Sequence, residues 1–249
     1  MAIFEKGKAR NIGLKTRVAA AEALDQASQA RLRTPGDPDY WVEIRGGRFT
    51  IGDPEAFQSL PRKAVSLSTF HIGKFPVTVL EYGAYLDDTL ADPPRDWDQQ
   101  WAHPGRPVTS VTWYDAIRYC EWASLKWAIR CLLPSEEQWE YVARGPEGRI
   151  YPWGPADLEP DEYRANFNMM VGEPTPVGMF PEGSTPEGIA DMAGNVWEWT
   201  RSDDQRGNKV RVLRGGSFLD DSRDLRAAIR VRYEPDFRYN DFGFRCVRE

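Results

Sequence analysis

From about residue 145 onward the helical period is lost for about 100 residues, and Gly, Pro, Asn and Asp recur throughout. In a chain of low hydrophobicity such a stretch would be disordered. Here large rings interrupt it at short intervals: Tyr151, Trp153, Phe167, Phe180, Trp197 and Trp199. The chain carries 10 Trp, 10 Tyr and 11 Phe in 249 residues. Each ring buries roughly 150–250 Å², enough for irregular backbone to be held by what packs beneath it. The region therefore reads as packed loops on a small sheet, with strand-like pieces at 196–199 and 210–214.

The first half is more regular. Residues 13–32 are good helix formers, with Leu14, Val18, Ala21 and Leu24 on one stripe, and they run into Thr34-Pro35-Gly36-Asp37-Pro38, a linker. This divides the chain into a helical arm with its linker (1–38) and a domain (39–249). Large apolar and polar residues alternate from Trp41 to Gly52 around Gly46-Gly47, which predicts a hairpin. Thr78 with Glu81 is a capping box that predicts a helix from Val79 to about Asp87. Thr112 with Asp115 opens another, to about Trp127, with Ala116, Ile117, Cys120 and Ala123 at helical spacing. Ser135 with Gln138 starts a third, through Trp139 and Val142 to Gly145. Helices and strands are segregated, so the class is α+β.

Composition removes several functions. With 38 acids against 32 bases and a formal charge of −6, nothing favours a nucleic-acid partner. No apolar run reaches the ~20 residues of a membrane span, and Met1 to Arg10 lacks a signal-peptide core, so a cytoplasmic location is expected. Cys120, Cys131 and Cys246 are too few and too scattered in sequence for a disulfide framework or a zinc cluster. Two histidines leave little for histidine-based catalysis. Serine-nucleophile, P-loop and dinucleotide motifs are absent.

Eight motifs occur in order: Trp41-Val-Glu-Ile-x-Gly-Gly-x-Phe-x-Ile-Gly52, Pro76-Val-Thr-Val-x-Glu-Tyr82, Pro107-Val-x-x-Val-Thr-Trp-x-Asp-Ala116, Leu133-Pro-Ser-Glu-Glu-Gln-Trp-Glu140, Tyr151-Pro-Trp-Gly154, Asp191-Met-Ala-Gly-Asn-Val-Trp-Glu-Trp-Thr200, Val212-Leu-Arg-Gly-Gly-Ser217 and Gly243-Phe-Arg245. Together they resemble the formylglycine-generating-enzyme (sulfatase-modifying factor) domain, a variant of the C-type lectin fold. The resemblance covers about residues 40–249. It implies one domain with little regular structure and N- and C-terminal strands close together. It leaves function open, because the family includes copper-dependent oxidases, iron-dependent sulfoxide synthases and binding proteins without chemistry.

The copper chemistry of the family needs two cysteines just after the Arg-Gly-Gly-Ser motif, and here Phe218 to Leu225 contains none. The iron chemistry needs several histidines near a carboxylate, and His71 and His103 stand about thirty residues apart. The resemblance thus implies no catalytic residue and no catalytic cofactor. Metal-dependent oxidation with ligands not evident in the sequence, or a purely structural assembly role, are the alternatives. A structural calcium is implied at Asp191, Gly194, Val196 and Glu198, through side-chain oxygens at the ends and carbonyls between. Glu198 reads equally well as a capping or salt-bridging residue. A second family calcium site after Ala165 to Phe167 has too short a loop here to be carried over.

Ser217 to Arg245 is the remaining segment. Arg223, Arg226, Arg230, Arg232, Pro235, Arg238 and Gly243 read as scaffold, since arginine braces irregular backbone through several donors at once. Between them lie Leu219, Asp220, Asp221, Asp224, Ile229, Val231, Tyr233, Phe237, Tyr239, Asn240, Asp241 and Phe242, which follow neither a helical period nor a clean alternation. This mixture resembles the variable region of diversity-generating retroelement target proteins. There, randomising the adenines of Asn-type codons yields Asp, Tyr, Phe, Leu, Ile, Val and Ser but never Lys, Gln, Met, Trp or Glu. The segment has no Lys, Gln, Met or Trp, where composition would place about three; Glu234 must then be scaffold. The twelve residues are the expected binding surface for a macromolecular ligand, a protein foremost. Ile229 and Phe242 are the two best suited to turn inward instead.

Overall fold

The computed structural model describes residues 2–28, 32–154, 158–203 and 210–249. Each of the three capping boxes closes in both directions. Thr78 Oγ1 accepts the Glu81 N–H while the Glu81 carboxylate accepts the Thr78 N–H, and Thr112/Asp115 and Ser135/Gln138 repeat the arrangement. In chain order the elements are α1 (Leu14–Ala27), β1 (Trp41–Ile44), β2 (Gly47–Ile51), β3 (Lys63–Leu67), β4 (Phe70–Gly73), α2 (Val79–Thr89), α3 (Trp97–Trp101), α4 (Trp113–Trp127), β5 (Cys131–Leu132), α5 (Glu136–Arg144), β6 (Trp197–Asp203), β7 (Arg211–Arg214), β8 (Arg230–Tyr233), β9 (Phe242–Phe244) and β10 (Val247–Arg248). The α+β class stands.

The strands form three ladders. One sheet runs β1-β4-β10-β5, all antiparallel, so the first and last strands of the domain meet on β4. Another runs β8-β7-β6-β9, with only the β6–β9 pair parallel. Between residues 145 and 196 no strand of three or more residues forms among those described, and rings hold the backbone: Tyr151 and Trp153 stack at 5.1 Å, 4° apart.

The hairpin expected around Gly46-Gly47 does not form. β1 pairs with β4, and β2 pairs with β3, so the glycine pair is where the chain leaves one sheet for another. A Cβ on Gly46 would lie 2.1 Å from the Leu67 carbonyl oxygen, a close approach that only glycine permits. Alternation of apolar residues registers burial of one face but not which strand lies alongside.

α1 folds back on its own domain, and its apolar stripe is not what holds it. Ala21 is buried against Ile3, Met179 and Phe180, yet Leu14 and Val18 are only half-buried and Leu24 is exposed. Polar anchors do the rest. Arg17 is fully covered, donates to the Glu162 carbonyl at 2.5 Å and lies over the Tyr163 ring. Glu22 accepts from Arg106 Nε at 2.6 Å and contacts His103 Nδ1 at 2.8 Å.

Candidate functional site

α5 builds the frame. Glu136, Trp139, Glu140 and Arg144 lie at i, i+3, i+4 and i+8, hence on one helix face, and all four are buried. Glu140 accepts from Arg214 and from Arg144, and also from the Gly52 N–H at 2.7 Å. Glu136 pairs with Arg230 at 2.5 Å. Burial pushes the Glu136 carboxyl up although Arg214 and Arg230 pull it down. Arg214 also donates to the carbonyls of Ala227, Ala228 and Ile229, pinning the loop that enters β8. Two buried carboxylates thus hold two buried guanidiniums, and the remaining donors of Arg214 clamp backbone.

Arg245 does the same at the other end. Its Nε and Nη2 each reach a Glu198 oxygen at 2.7 Å, and Nη1 and Nη2 donate to the carbonyls of Gly73, Ala190 and Asp191. Trp139 Nε1 adds a third bond to Glu198, at 2.7 Å. Glu198 spends its carboxylate on Arg245 and Trp139, Asp191 accepts the Gly178 N–H at 2.6 Å, and the Gly194 carbonyl accepts the Val196 N–H at 2.9 Å. At Glu198 these contacts are those of the salt-bridging alternative, with the Arg245 guanidinium as the neighbouring positive charge.

On this frame the twelve candidate residues divide. Ile229 and Phe242 are buried in the main core, so the surface assignment fails for them: Arg214 pins the Ile229 carbonyl just before β8, and β9 turns Phe242 against Trp199. Asp241 is also buried. Its carbonyl accepts the Trp197 N–H, and burial raises its carboxyl to about 6 despite a hydrogen bond from Ser217. Val231 and Tyr233 are half-buried against the same core. Asp220 is tied down, its carboxylate accepting from Ser217 N–H at 2.8 Å and Oγ–H at 2.6 Å. Asp221 and Asp224 are half-buried, and Leu219, Phe237, Tyr239 and Asn240 are exposed.

Three rings define the patch. Tyr233 lies 5.7 Å from both Phe237 and Tyr239, and these lie 6.0 Å from each other. Phe237 and Tyr239 keep 40% and 46% of their surface in water. Their backbone is fixed: Tyr239 O accepts the Ser110 N–H and Pro235 O accepts the Trp113 N–H, both at 3.0 Å. Of the expected scaffold arginines, Arg226 and Arg230 pair with Asp53 and Glu136. Arg223 instead faces solvent beside Asp221 and braces nothing distant.

Beside the patch lies a cavity of about 310 Å³ lined by Asp96, Gln100, His103, Arg106 and Glu173 together with Phe218 and Asn240. Arg106 bridges Glu22 and Glu173 there. Its polar wall comes from α3, the loop after it and the 172–174 turn, three separate sequence stretches without a shared motif; only Asn240 belonged to the expected surface.

The sequence reading also misses the sulfurs. Scattered along the chain, Cys120, Cys131 and Cys246 converge in the interior, with their sulfur atoms all within 4.8 Å of one another. They are scattered along the chain yet adjacent in space, and all three are free thiols. Hydrogen bonds from Cys120 and Cys246 hold the Cys131 thiol low, while burial pushes the other two up. Spacings of eleven and 115 residues match no metal motif, because α4, β5 and the approach to β10 meet only in three dimensions.

The fold, with its three small sheets, few helices and long ring-packed loops, is of the C-type lectin type. Residues 27–249 match the sulfatase-modifying factor enzyme 1-like domain, and the chain belongs to that FGE-sulfatase family. It is 35% identical to the inactive Cα-formylglycine-generating enzyme 2 of Mus musculus over 83% of this chain and 84% of that one. It is 32% identical to the hercynine oxygenase of Mycolicibacterium smegmatis over 68% of this chain but only 46% of the oxygenase. Among solved structures, PvdO from Pseudomonas aeruginosa superposes with a TM-score of 0.73 at 26% identity, covering 84% of this chain and 94% of PvdO. Treponema denticola variable protein 1 follows at 0.68 and 23%, with the same coverages, a likeness of fold. The family thus contains both enzymes and a member named inactive. Among the described residues no helix is long and apolar enough to cross a membrane.

Proposed function

We propose that this protein is a non-catalytic binding protein whose C-terminal face engages a macromolecular ligand, a protein foremost, and that a diversity-generating retroelement varies that face. The observation that carries the reading is the aromatic triplet Tyr233, Phe237 and Tyr239 standing half in water on a frame of fully buried ion pairs. Tyr and Phe give large contact area at little conformational cost, the property exploited in antibody paratopes. Asn240, Asp221 and Leu219 add adaptable polar and apolar contacts around them. Leu219, Phe237, Tyr239 and Asn240 are exposed and take no part in the buried ion pairs, so they can change while the backbone stays.

The cavity beside the patch is lined by no cysteine, and its one histidine is paired with Glu22, which supports binding over oxygen chemistry. The neighbouring DNA tests the origin of the face. A near-copy of the coding segment for 213–246, differing almost only at adenines and lying beside a reverse transcriptase, is expected; its absence overturns the retroelement part. The binding part is tested separately. Full-length protein should capture a partner that a Tyr233→Ser, Phe237→Ser, Tyr239→Ser variant does not. Equal capture by both, or turnover of a thiol substrate with retained copper or iron, overturns it.

A further inference from the structure

Three places in the molecule remain unused by the proposed function: the polar cavity beside Asn240, the cleft between β3 and α5, and the buried sulfurs. The sulfurs carry the argument furthest. Cys120 comes from the buried face of α4, Cys131 opens β5, and Cys246 immediately precedes β10. All three are at most 2% exposed. Their backbones are locked to one another: Ser124 Oγ–H donates to the Cys120 carbonyl at 2.8 Å and accepts the Cys131 N–H at 3.0 Å, and the Cys246 carbonyl accepts the Gly73 N–H at 2.8 Å. Cys120 and Cys131 are thus placed by regular elements, and Cys246 by the two-residue connection between β9 and β10.

We infer that Cys120, Cys131 and Cys246 form a three-sulfur structural site for a soft monovalent ion, Cu(I), in the interior of the domain. Metal–sulfur bonds of about 2.3 Å put sulfurs sharing one ion about 3.8–4.0 Å apart. Cys120 Sγ and Cys246 Sγ stand 3.8 Å apart, and the set of three lies within 4.8 Å, so small side-chain adjustments complete it. Among the described residues no histidine or carboxylate joins the group. Thiolates alone select soft ions. Structural zinc takes four ligands and iron–sulfur clusters take four cysteines, whereas three sulfurs suffice for Cu(I). The site shares no residue with the patch or with the Phe218 to Leu225 stretch, and its role is to tie α4 to the β4-β10-β5 sheet. Because the thiols are sealed, the ion enters with folding and stabilises the folded state.

The test uses the full chain, reduced and kept anaerobic, with Cu(I) as the probe against a chromophoric copper chelator. One equivalent is expected per chain, with an X-ray absorption spectrum showing sulfur neighbours only and a raised thermal midpoint. Cys131→Ser, if it folds by circular dichroism, should lose more than about tenfold in affinity, since even an outer-shell partner's loss costs that much, and should lose the rise in midpoint. Should Cys131→Ser not fold, Cys246→Ala supplies the same comparison. Zinc retained in preference to copper, a single titratable thiol from a Cys120–Cys246 disulfide in the native protein, or no uptake by the reduced folded chain would each overturn the assignment. None of these outcomes bears on partner capture by the patch.

Discussion

Two sets of side chains leave the same thirty residues of backbone in opposite senses. Arg214, Arg230 and Arg245 point inward and are at most 2% exposed, each closed on a buried glutamate. Tyr233, Phe237 and Tyr239 point outward and touch mainly one another and Phe242. In most proteins the charged residues would be outside and the rings inside. The inversion shows what irregular backbone demands. With few strands to take up its amides and carbonyls, the segment needs multi-donor side chains in its interior, and aromatic area is left over for the surface.

The contrast is most directly broken by removing a frame charge. Arg245→Ala leaves Glu198 buried with only the Trp139 N–H as partner and strips donors from three carbonyls. Breaking one partner of a buried pair costs about 3–5 kcal/mol. For a domain of this size that is roughly 6–20 °C in thermal midpoint. Calorimetry that finds a shift below 2 °C would mean the frame is not what holds the face.

Asp241 sits at the boundary between the two sets, and it sharpens the comparison through pH. Its folded carboxyl is raised from 3.8 to about 6 by burial, so the native state binds the proton more tightly than the unfolded chain does. For a raised acid the stabilisation is complete below about pH 4 and is lost as pH rises through 6. The swing is on the order of 2 kcal/mol. Denaturant titrations between pH 4 and 6.5 should show this slope in the wild type and a flatter one in Asp241→Asn. An unchanged slope would place the proton elsewhere; Glu81, raised to about 7 by burial, contributes with the same sign.

Much of the fold could be read from the sequence because its signals are local. The capping boxes at Thr78, Thr112 and Ser135 specify helix starts within one turn, and the i, i+3, i+4 spacing of Glu136, Trp139 and Glu140 encodes their shared face. What stayed hidden is non-local. The pairing of β1 with β4 and the meeting of three cysteines depend on contacts dozens of residues apart. The inward turn of Phe242 depends on which face of a short strand meets the core, and a three-residue strand has too few positions to display a period; that of Ile229 depends on the distant Arg214 holding its carbonyl. Glu198 was legible as two alternatives, and the partner that realises the salt-bridging one, Arg245, lies 47 residues away in sequence.

The outward rings give the next smaller effect. Phe237→Ser and Tyr239→Ser each remove a half-exposed side chain with no hydrogen bond to the frame, so a loss of about 1 kcal/mol or less is expected. A larger loss would show the rings to be part of the core, and the distinction between the two sets would fail.

Arginine itself supplies the finest comparison. Arg223 and Arg230 are seven residues apart in one segment and both read as scaffold in the sequence, yet one holds Glu136 inside the protein and the other holds Asp221 in water. A guanidinium contributes most where it is desolvated and paired with a buried carboxylate; in water its bonds are exchanged for bonds to solvent at little net gain. Arg223→Ala should therefore leave the unfolding transition where it is, while Arg230→Ala lowers it by several degrees. A matched drop in both would mean that the Asp221–Arg223 turn, and not the buried pairs alone, shapes the face that the patch presents.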